Sequence, residues 1–272
     1  PDFSSVDQMN HAILQVPLPE DTLWLECTNP QLPFGYVHSS IAGHDALLIT
    51  KEGGIMCRLP SYPDSLNTQT TNASVTLTPT GGAKIKASEI SHLFQYESTA
   101  GITRLEPSHR KDYLRSGINL IQANINNIQI NEAKEVIPMI DIQYTVETEQ
   151  YGNKTGNRLF IPANIFRKGF TTPDLKQRVQ DIHINYGYLD TDSICLQIPE
   201  GYTIESLPKT CQVTSSFGSF SSSLMIKDKE ICIIHRLLMH RGIYPKDVYK
   251  DFLEFRKQIA AQYSSKIILK KE

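Results

Sequence analysis

The sequence lacks a long apolar run. None of its 272 residues belong to a stretch approaching the roughly 18 apolar residues that a membrane-spanning helix needs. The first ten residues, PDFSSVDQMN, also lack the charged start and apolar stretch of a signal peptide. Because the chain starts at Pro1 without an initiator Met, we expect it to be part of a longer protein whose leader can lie upstream.

An excess of basic charge is missing as well. The 27 Lys and Arg residues stand against 29 Asp and Glu residues. Such a chain has no positive field to hold a polyphosphate, which argues against a nucleic acid as partner. Apolar residues make up 40% of the chain and are spread along it, so we expect a globular protein rather than a disordered one.

The five cysteines lack the paired spacing of a zinc site and the even count of a disulfide framework. They are Cys27, Cys57, Cys195, Cys211 and Cys232. Two of them, Cys195 in SICLQIP and Cys232 in EICIIH, lie within alternating apolar patterns. We interpret most of the five as small buried residues, since a buried thiol behaves as a hydrophobic group.

What is abundant is alternation of period two, rich in Val, Ile, Thr and Tyr and broken by Gly, Pro or Asn. This pattern predicts a mainly β fold, with a β-sandwich-like region that carries two helices. One helix is predicted in PSHRKDYLRSGINLI with Ser108 as N-cap, and the other from Pro245 onward. Gly81 and Gly82, between two strand patterns, predict a hairpin turn.

The composition also suggests where domains divide. In LPSYPDSLNTQTTN, Pro60 and Pro63 precede a polar stretch, which predicts a boundary between residues 1–60 and residues 61–272. A weaker boundary is predicted near residues 165–178.

The opening segment, MNHAILQVPLPEDTLWLECTNP, holds two strand patterns around a turn. Aligning their apolar positions predicts one buried face, made of Ala12, Leu14 and Val16 opposite Cys27, Leu25 and Leu23. On the other face, His11 and Glu26 become diagonal neighbours at about 7 to 8 Å between backbone positions. Their side chains can meet.

An imidazole held by a carboxylate is what a cysteine or serine nucleophile needs. The base takes the nucleophile's proton, while the acid fixes the tautomer and stabilises the imidazolium. The alternative is that His11 and Glu26 are unrelated residues on a solvated strand face, since spacing alone does not define a triad.

The segment NHAILQVPLPEDTLWLECTNPQLPFGYV resembles the end of the transglutaminase-like, papain-type core of bacterial envelope proteins. The resemblance implies that residues 1–60 are the last β-strands of an α+β core. It implies His11 as general base and Glu26, where Asp is usual, as its orienting acid, with Trp24 as a framework neighbour. In that family the nucleophilic Cys comes first along the chain.

This sequence departs from the family there, because no cysteine precedes His11. Cys27 follows the acid, and its side chain is predicted on the opposite face. We therefore expect the chain alone to be inactive, unless Cys57 or a partner supplies the thiol.

A second resemblance, to accessory domains of unknown function, lies in RLFIPANIF, QIPEGYTIESLPK and YKDFLEFRKQIAAQYSSKIIL. Together the resemblances imply a thiol-dependent peptidase or acyltransferase that is exported to the periplasm or cell surface and acts on a peptide or protein. The alternative is a non-catalytic binding or adhesion module that contacts an envelope protein or glycan. Neither interpretation predicts a cofactor or a metal.

Two further features allow a binding role. HRLLMHRG places His235 and His240 close together, as a basic site or simply as a polar strand end; no third histidine or carboxylate completes a metal set there. Several tyrosines could line an aromatic surface, although core and strand-pair positions are the favoured interpretation. They are Tyr144, Tyr151, Tyr186, Tyr188 and Tyr202.

Overall fold

The structure is a computed structural model that describes residues 11–166, 168–169, 172–175 and 178–272. These residues form 18 strands and three α-helices, which confirms the mainly β class. Among them, no helix combines the length and the apolar character needed to cross a membrane.

In chain order the strands are β1 (Leu14–Pro17), β2 (Thr22–Leu25), β3 (Asp45–Thr50), β4 (Gly53–Arg58), β5 (Thr68–Leu77), β6 (Ala83–His92), β7 (Asn124–Ala133), β8 (Met139–Thr148), β9 (Asn153–Thr155), β10 (Arg158–Pro162), β11 (Ile182–Ile184), β12 (Tyr188–Gln197), β13 (Tyr202–Ser206), β14 (Cys211–Ser215), β15 (Gly218–Lys227), β16 (Glu230–Met239), β17 (Gly242–Tyr244) and β18 (Lys266–Lys271). The helices are α1 (Phe94–Thr99), α2 (Pro107–Ser116) and α3 (Tyr249–Tyr263). Single 3-10 turns lie at Asp64–Leu66, Ala100–Arg104 and Lys246–Val248.

Two sheets enclose the main core. The larger has eight strands in the order β14-β15-β16-β12-β5-β6-β8-β7, and the smaller has four in the order β13-β18-β10-β9. Neighbours in the larger sheet are antiparallel except β12 and β5, which are parallel. One cluster of buried residues joins both sheets, with Val75 and Ile85 from the larger and Leu159 and Ile267 from the smaller. Burial between the facing sheets stabilises this sandwich-like arrangement.

The hairpin predicted at Gly81 and Gly82 joins β5 and β6, whose register pairs Leu77 with Ala83. Gly81 has a φ of +98°. A Cβ there would lie 2.7 Å from the carbonyl oxygen of Gly152, so both backbone conformation and space require glycine.

Both predicted helices are present, as α2 and α3. The predicted cap of α2 is wrong, because the N-cap is Glu106 and Pro107 occupies the first helical turn. Proline suits that position, since its missing N–H would have no partner within the helix. A 3-10 turn separates Pro245 from the start of α3.

The third helix, α1, lies where the alternating pattern HLFQYES predicts a strand. Leu93, just before it, has a φ of +51°, and that backbone turn ends β6. Phe94 and Tyr96 are then buried on α1. The strand prediction was wrong because spacing two apart within so short a segment does not distinguish one helical turn from a strand.

The interpretation of Cys195 and Cys232 as buried free thiols is also wrong. They are directly opposite each other on β12 and β16 and form a disulfide. Strand alternation gives the reason, because Ile194 and Leu196 face the core and therefore direct Cys195 to the other face. The free thiols in the described residues belong to Cys27, Cys57 and Cys211.

The segment before β5 has its own small core. Tyr36, Val37 and Leu59 are buried there together with Phe94 at the start of α1. The side chain of Glu97 on α1 accepts hydrogen bonds from the Tyr36 hydroxyl at 2.6 Å and from the Ser39 backbone N–H at 2.7 Å. The first predicted boundary falls between β4 and β5, and the division at residues 1–60, 61–272 and 165–178 stays a prediction.

Candidate functional site

The site is built on the hairpin of β1 and β2. Leu14 pairs with Leu25 and Val16 pairs with Leu23, in the predicted register. The predicted buried face is wrong, however, because Leu14 is 53% exposed. The opposite face, with Ile13 and Trp24, packs against the small core around Tyr36.

That reversal brings His11 and Glu26 to the packed side of the hairpin, where they meet. The Nε2 atom of His11 lies 2.6 Å from Oε2 of Glu26. The other carboxylate oxygen, Oε1, accepts the backbone N–H of Thr28 at 2.6 Å and also the Thr28 hydroxyl. Glu26 is therefore held at both oxygens, and its side chain is only 1% exposed.

These contacts keep Glu26 ionised. Burial alone raises the pKa of its carboxyl, but the hydrogen bonds from Thr28 and the interaction with His11 together outweigh burial and lower the pKa to about 2. An ionised carboxylate accepts hydrogen bonds and donates none. At neutral pH the short contact therefore requires His11 to carry a proton on Nε2 and to donate it to Glu26.

The other ring nitrogen of His11 is then the basic one. No hydrogen bond reaches Nδ1 from the described residues, and the His11 side chain is 24% exposed. A neutral imidazole with its proton on Nε2 presents a lone pair at Nδ1. The arrangement can thus take up a proton from a group placed beside Nδ1.

The sequence did not predict the third residue of this site, His38. Its Nε2 atom lies 3.1 Å from the same Oε2 of Glu26, and its Nδ1 lies 2.8 Å from the Ser40 hydroxyl. The rings of His11 and His38 meet edge to face, with centroids 5.4 Å apart. No pattern in the sequence could have found His38, because it lies in the irregular segment between β2 and β3, where no strand register relates it to Glu26.

A cavity of about 390 Å³ adjoins the two histidines. Charged side chains on its wall include Glu97, Arg104 and Glu132. No cysteine is among the described residues that line it. Cys27 is exposed, with its thiol 3.7 Å from the carbonyl oxygen of Leu25.

The two histidines of HRLLMHRG do not form a common basic site. His235 is buried, and burial lowers its pKa to about 4. His240 lies 3.2 Å from a carboxylate oxygen of Asp64. Of the tyrosines considered for an aromatic surface, Tyr144, Tyr151 and Tyr202 are buried in the core.

One family model matches a segment in the second half of the chain. Residues 157–269 match a family model described as a domain of unknown function with solved structure (DUF3858). That range contains the three segments that resemble accessory domains of unknown function, so the match confirms this resemblance for residues 157–269.

Among solved structures, one described as a "putative protease" from Parabacteroides distasonis ATCC 8503 is similar at a TM-score of 0.32 and 5% identity, covering 75% of this chain and 99% of the other. At that level the similarity carries no argument about function. No curated protein matches the chain.

Proposed function

We propose that His11 and Glu26 are the general base and orienting acid of a thiol-dependent peptidase or acyltransferase centre, within a longer transglutaminase-like protein. The observation that carries this proposal is the 2.6 Å contact between His11 Nε2 and a Glu26 carboxylate that Thr28 holds ionised.

The proposed chemistry follows from the free nitrogen of His11. A cysteine thiol beside Nδ1 gives its proton to that atom, and Glu26 stabilises the resulting imidazolium through the Nε2 proton. The thiolate attacks the carbonyl carbon of an amide. His11 then returns the proton to the departing amine, which leaves an acyl-enzyme for water or a second amine.

The nucleophile has to come from outside the described part of the site. Cys195 and Cys232 are joined to each other, and Cys57 lies on β4 with its thiol 3.5 Å from the Ala46 carbonyl oxygen. We propose that sequence preceding this segment brings a cysteine to the cavity beside His11.

The test is labelling of that cysteine by a peptide electrophile in the protein extended through its natural upstream sequence, with a metal chelator present. We expect His11→Ala to slow labelling at least about 100-fold, since general-base catalysis contributes that much or more. His44→Ala is the matched control, because His44 is exposed on the wall of another cavity. Equal labelling in both variants, or an upstream sequence without cysteine, would overturn the proposal.

We also propose export to the periplasm or cell surface. The disulfide between Cys195 and Cys232 supports this location, because disulfides persist in oxidising compartments and are rare in a reducing cytosol. Fractionation of the natural host with an antibody to this chain tests it, and recovery in the cytosol would contradict it.

A second candidate function is a non-catalytic binding module for an envelope protein. The exposed hairpin of β3 and β4 favours it, because Leu47 and Met56 pair across the strands and are 40% and 64% exposed, beside Ile49 at 76%. Apolar side chains grouped on a surface mark protein contacts.

Co-sedimentation with purified envelopes tests this alternative. The double variant Ile49→Lys with Met56→Lys should lose binding if the hairpin docks a protein. Binding at wild-type level would remove the alternative, and size-exclusion chromatography checks that both forms are equally monodisperse.

A further inference from the structure

We propose that His11, Glu26 and His38 form a binding site for a divalent transition-metal ion of the zinc class. One ligand atom from each residue lies within 4.8 Å of the other two. The three residues come from different segments: the approach to β1, the end of β2 and the irregular segment before β3. Their convergence is thus a property of the fold and not of one local turn.

The set of donor atoms suits such an ion. Two imidazole nitrogens and one carboxylate oxygen are a common protein ligand set for zinc and related ions, with the remaining position open. Both Nε2 atoms already point at Oε2 of Glu26, at 2.6 Å and 3.1 Å.

Only a small adjustment is needed to seat an ion. Ligand bonds of about 2.0 to 2.2 Å in a tetrahedral site separate the ligand atoms by about 3.4 Å. The separation of His38 Nε2 and Glu26 Oε2 is close to that value. His11 has to move back from Glu26 by less than about 1 Å, which its partly exposed side chain permits.

Outer contacts already orient the ligands. When a metal ion replaces the Nε2 proton of His38, the Ser40 hydroxyl, 2.8 Å from Nδ1, can accept a hydrogen bond from Nδ1–H. Thr28 holds Oε1 of Glu26, which leaves Oε2 directed at the histidines. Such contacts fix the tautomer and ring orientation of metal ligands.

The cavity beside the histidines provides the open position. Its wall includes His11 and His38 together with Glu97 and Glu132. A water molecule or a small oxygen or nitrogen ligand can therefore complete the coordination from that side.

The simpler interpretation is that His38 only hydrogen-bonds to Glu26 and supports the hairpin. In that case a glutamine at position 38 could replace the hydrogen bond, and no metal would bind in either form. Metal binding and the proposed catalytic function exclude each other at Nε2 of His11, because the ion would replace the proton that Nε2 donates to Glu26. They are tested separately, since metal binding requires His38 but neither a nucleophilic thiol nor Nδ1.

The experiment is a titration of the full chain with Co²⁺, with the disulfide intact and visible absorption as the readout. We expect one Co²⁺ per chain, with d–d absorption, without a thiolate-to-cobalt charge-transfer band, and with displacement by Zn²⁺. His38→Ala and His38→Gln should each weaken binding at least about tenfold, since even outer-contact changes cost metal sites that much.

The control is His44→Ala, which removes an exposed histidine outside the cluster and should bind Co²⁺ like the wild type. The proposal is overturned if no Co²⁺ binds, if a thiolate band appears, or if His38→Gln binds as tightly as the wild type. Because labelling of the extended protein is measured with a chelator present, loss of metal binding and loss of His11-dependent labelling are separate outcomes.

Discussion

Two clusters of ionisable side chains differ in how completely their polar atoms are paired by hydrogen bonds and ion pairs. In the main core, Lys168 Nζ lies 3.3 Å from carboxylate oxygens of both Asp190 and Asp192. Asp192 also accepts hydrogen bonds from Tyr263 at 2.6 Å and from Thr71. At the hairpin, by contrast, His11 uses only Nε2 to contact Glu26, and no hydrogen bond from the described residues reaches its Nδ1.

The difference separates structural roles from chemical ones. Burial lowers the pKa of Lys168, but Asp192 and Asp190 outweigh it and the net shift is upward, so the lysine stays charged. Its side chain is 11% exposed and that of Asp192 is 0% exposed, so although Lys168 lines a cavity of about 250 Å³, its charge is neutralised within the fold. At the hairpin, no described residue donates a hydrogen bond to Nδ1 of His11. Its lone pair is therefore available to take a proton from a nucleophile.

The largest effect should come from breaking the buried cluster. Lys168→Met leaves two aspartates buried without their cation, and removal of one partner of a buried ion pair costs about 3–5 kcal/mol. We expect urea unfolding to show a free energy of unfolding that is lower by this amount. Co²⁺ binding at the hairpin under folded conditions should be unchanged; a loss of less than 1 kcal/mol would mean that the cluster is far more hydrated than its contacts indicate.

Next in size is the disulfide of the large sheet. Cys195 and Cys232 are 37 residues apart, and opening a loop of that order should lower the free energy of unfolding by about 2–4 kcal/mol. Unfolding of the wild type with and without a reductant measures it. The Cys195→Ser and Cys232→Ser double variant should match the reduced form, and identical curves in both redox states would contradict the expectation.

A smaller and pH-dependent effect is expected at the hairpin. The folded-state pKa of Glu26, about 2, lies below its ordinary value of 4.5, so its stabilising contribution is present above pH 4.5 and is lost as the pH falls toward 2. Glu26→Gln should cost about 1–2 kcal/mol at neutral pH through weaker hydrogen bonds. Urea unfolding at several pH values should show the variant and wild type converging below pH 4.5; parallel profiles would contradict the assigned pKa.

The smallest change in stability should come from the proposed base. His11→Ala removes a partly exposed side chain and one hydrogen bond to Glu26, but His38 and water in the cavity can still reach Oε2, so we expect no more than about 1 kcal/mol of destabilisation. The same variant should abolish fast labelling of the extended protein. A large loss of stability in thermal unfolding would instead make His11 a structural residue, comparable with Lys168.

The sequence predicted what depends on local pattern. Alternation located most strands, and it fixed the register of β1 and β2, since a shift by one residue would have moved every apolar side chain to the other face. It could not tell which face is covered, because burial of Trp24 and Ile13 depends on a distant segment around Tyr36. The contact of His11 with Glu26 followed from the register, but their catalytic role stays a prediction.

Features that depend on tertiary contact were missed. His38 reaches Glu26 from an irregular segment, and Lys168, which lies between β10 and β11, contacts two aspartates on β12. Local periodicity in the sequence carries no information about contacts at such separations. The pairing of Cys195 with Cys232 required the alignment of β12 with β16. Once that register is known, their shared face follows directly from strand alternation.

The central claim, that Glu26 holds His11 ready as a base, can be measured most directly by nitrogen-15 NMR of the imidazole of His11 at neutral pH with a chelator present. We predict a slowly exchanging proton on Nε2 and a bare Nδ1, with the slow exchange lost in Glu26→Ala. A proton on Nδ1, or a His11 signal that Glu26→Ala leaves unchanged, would contradict the account.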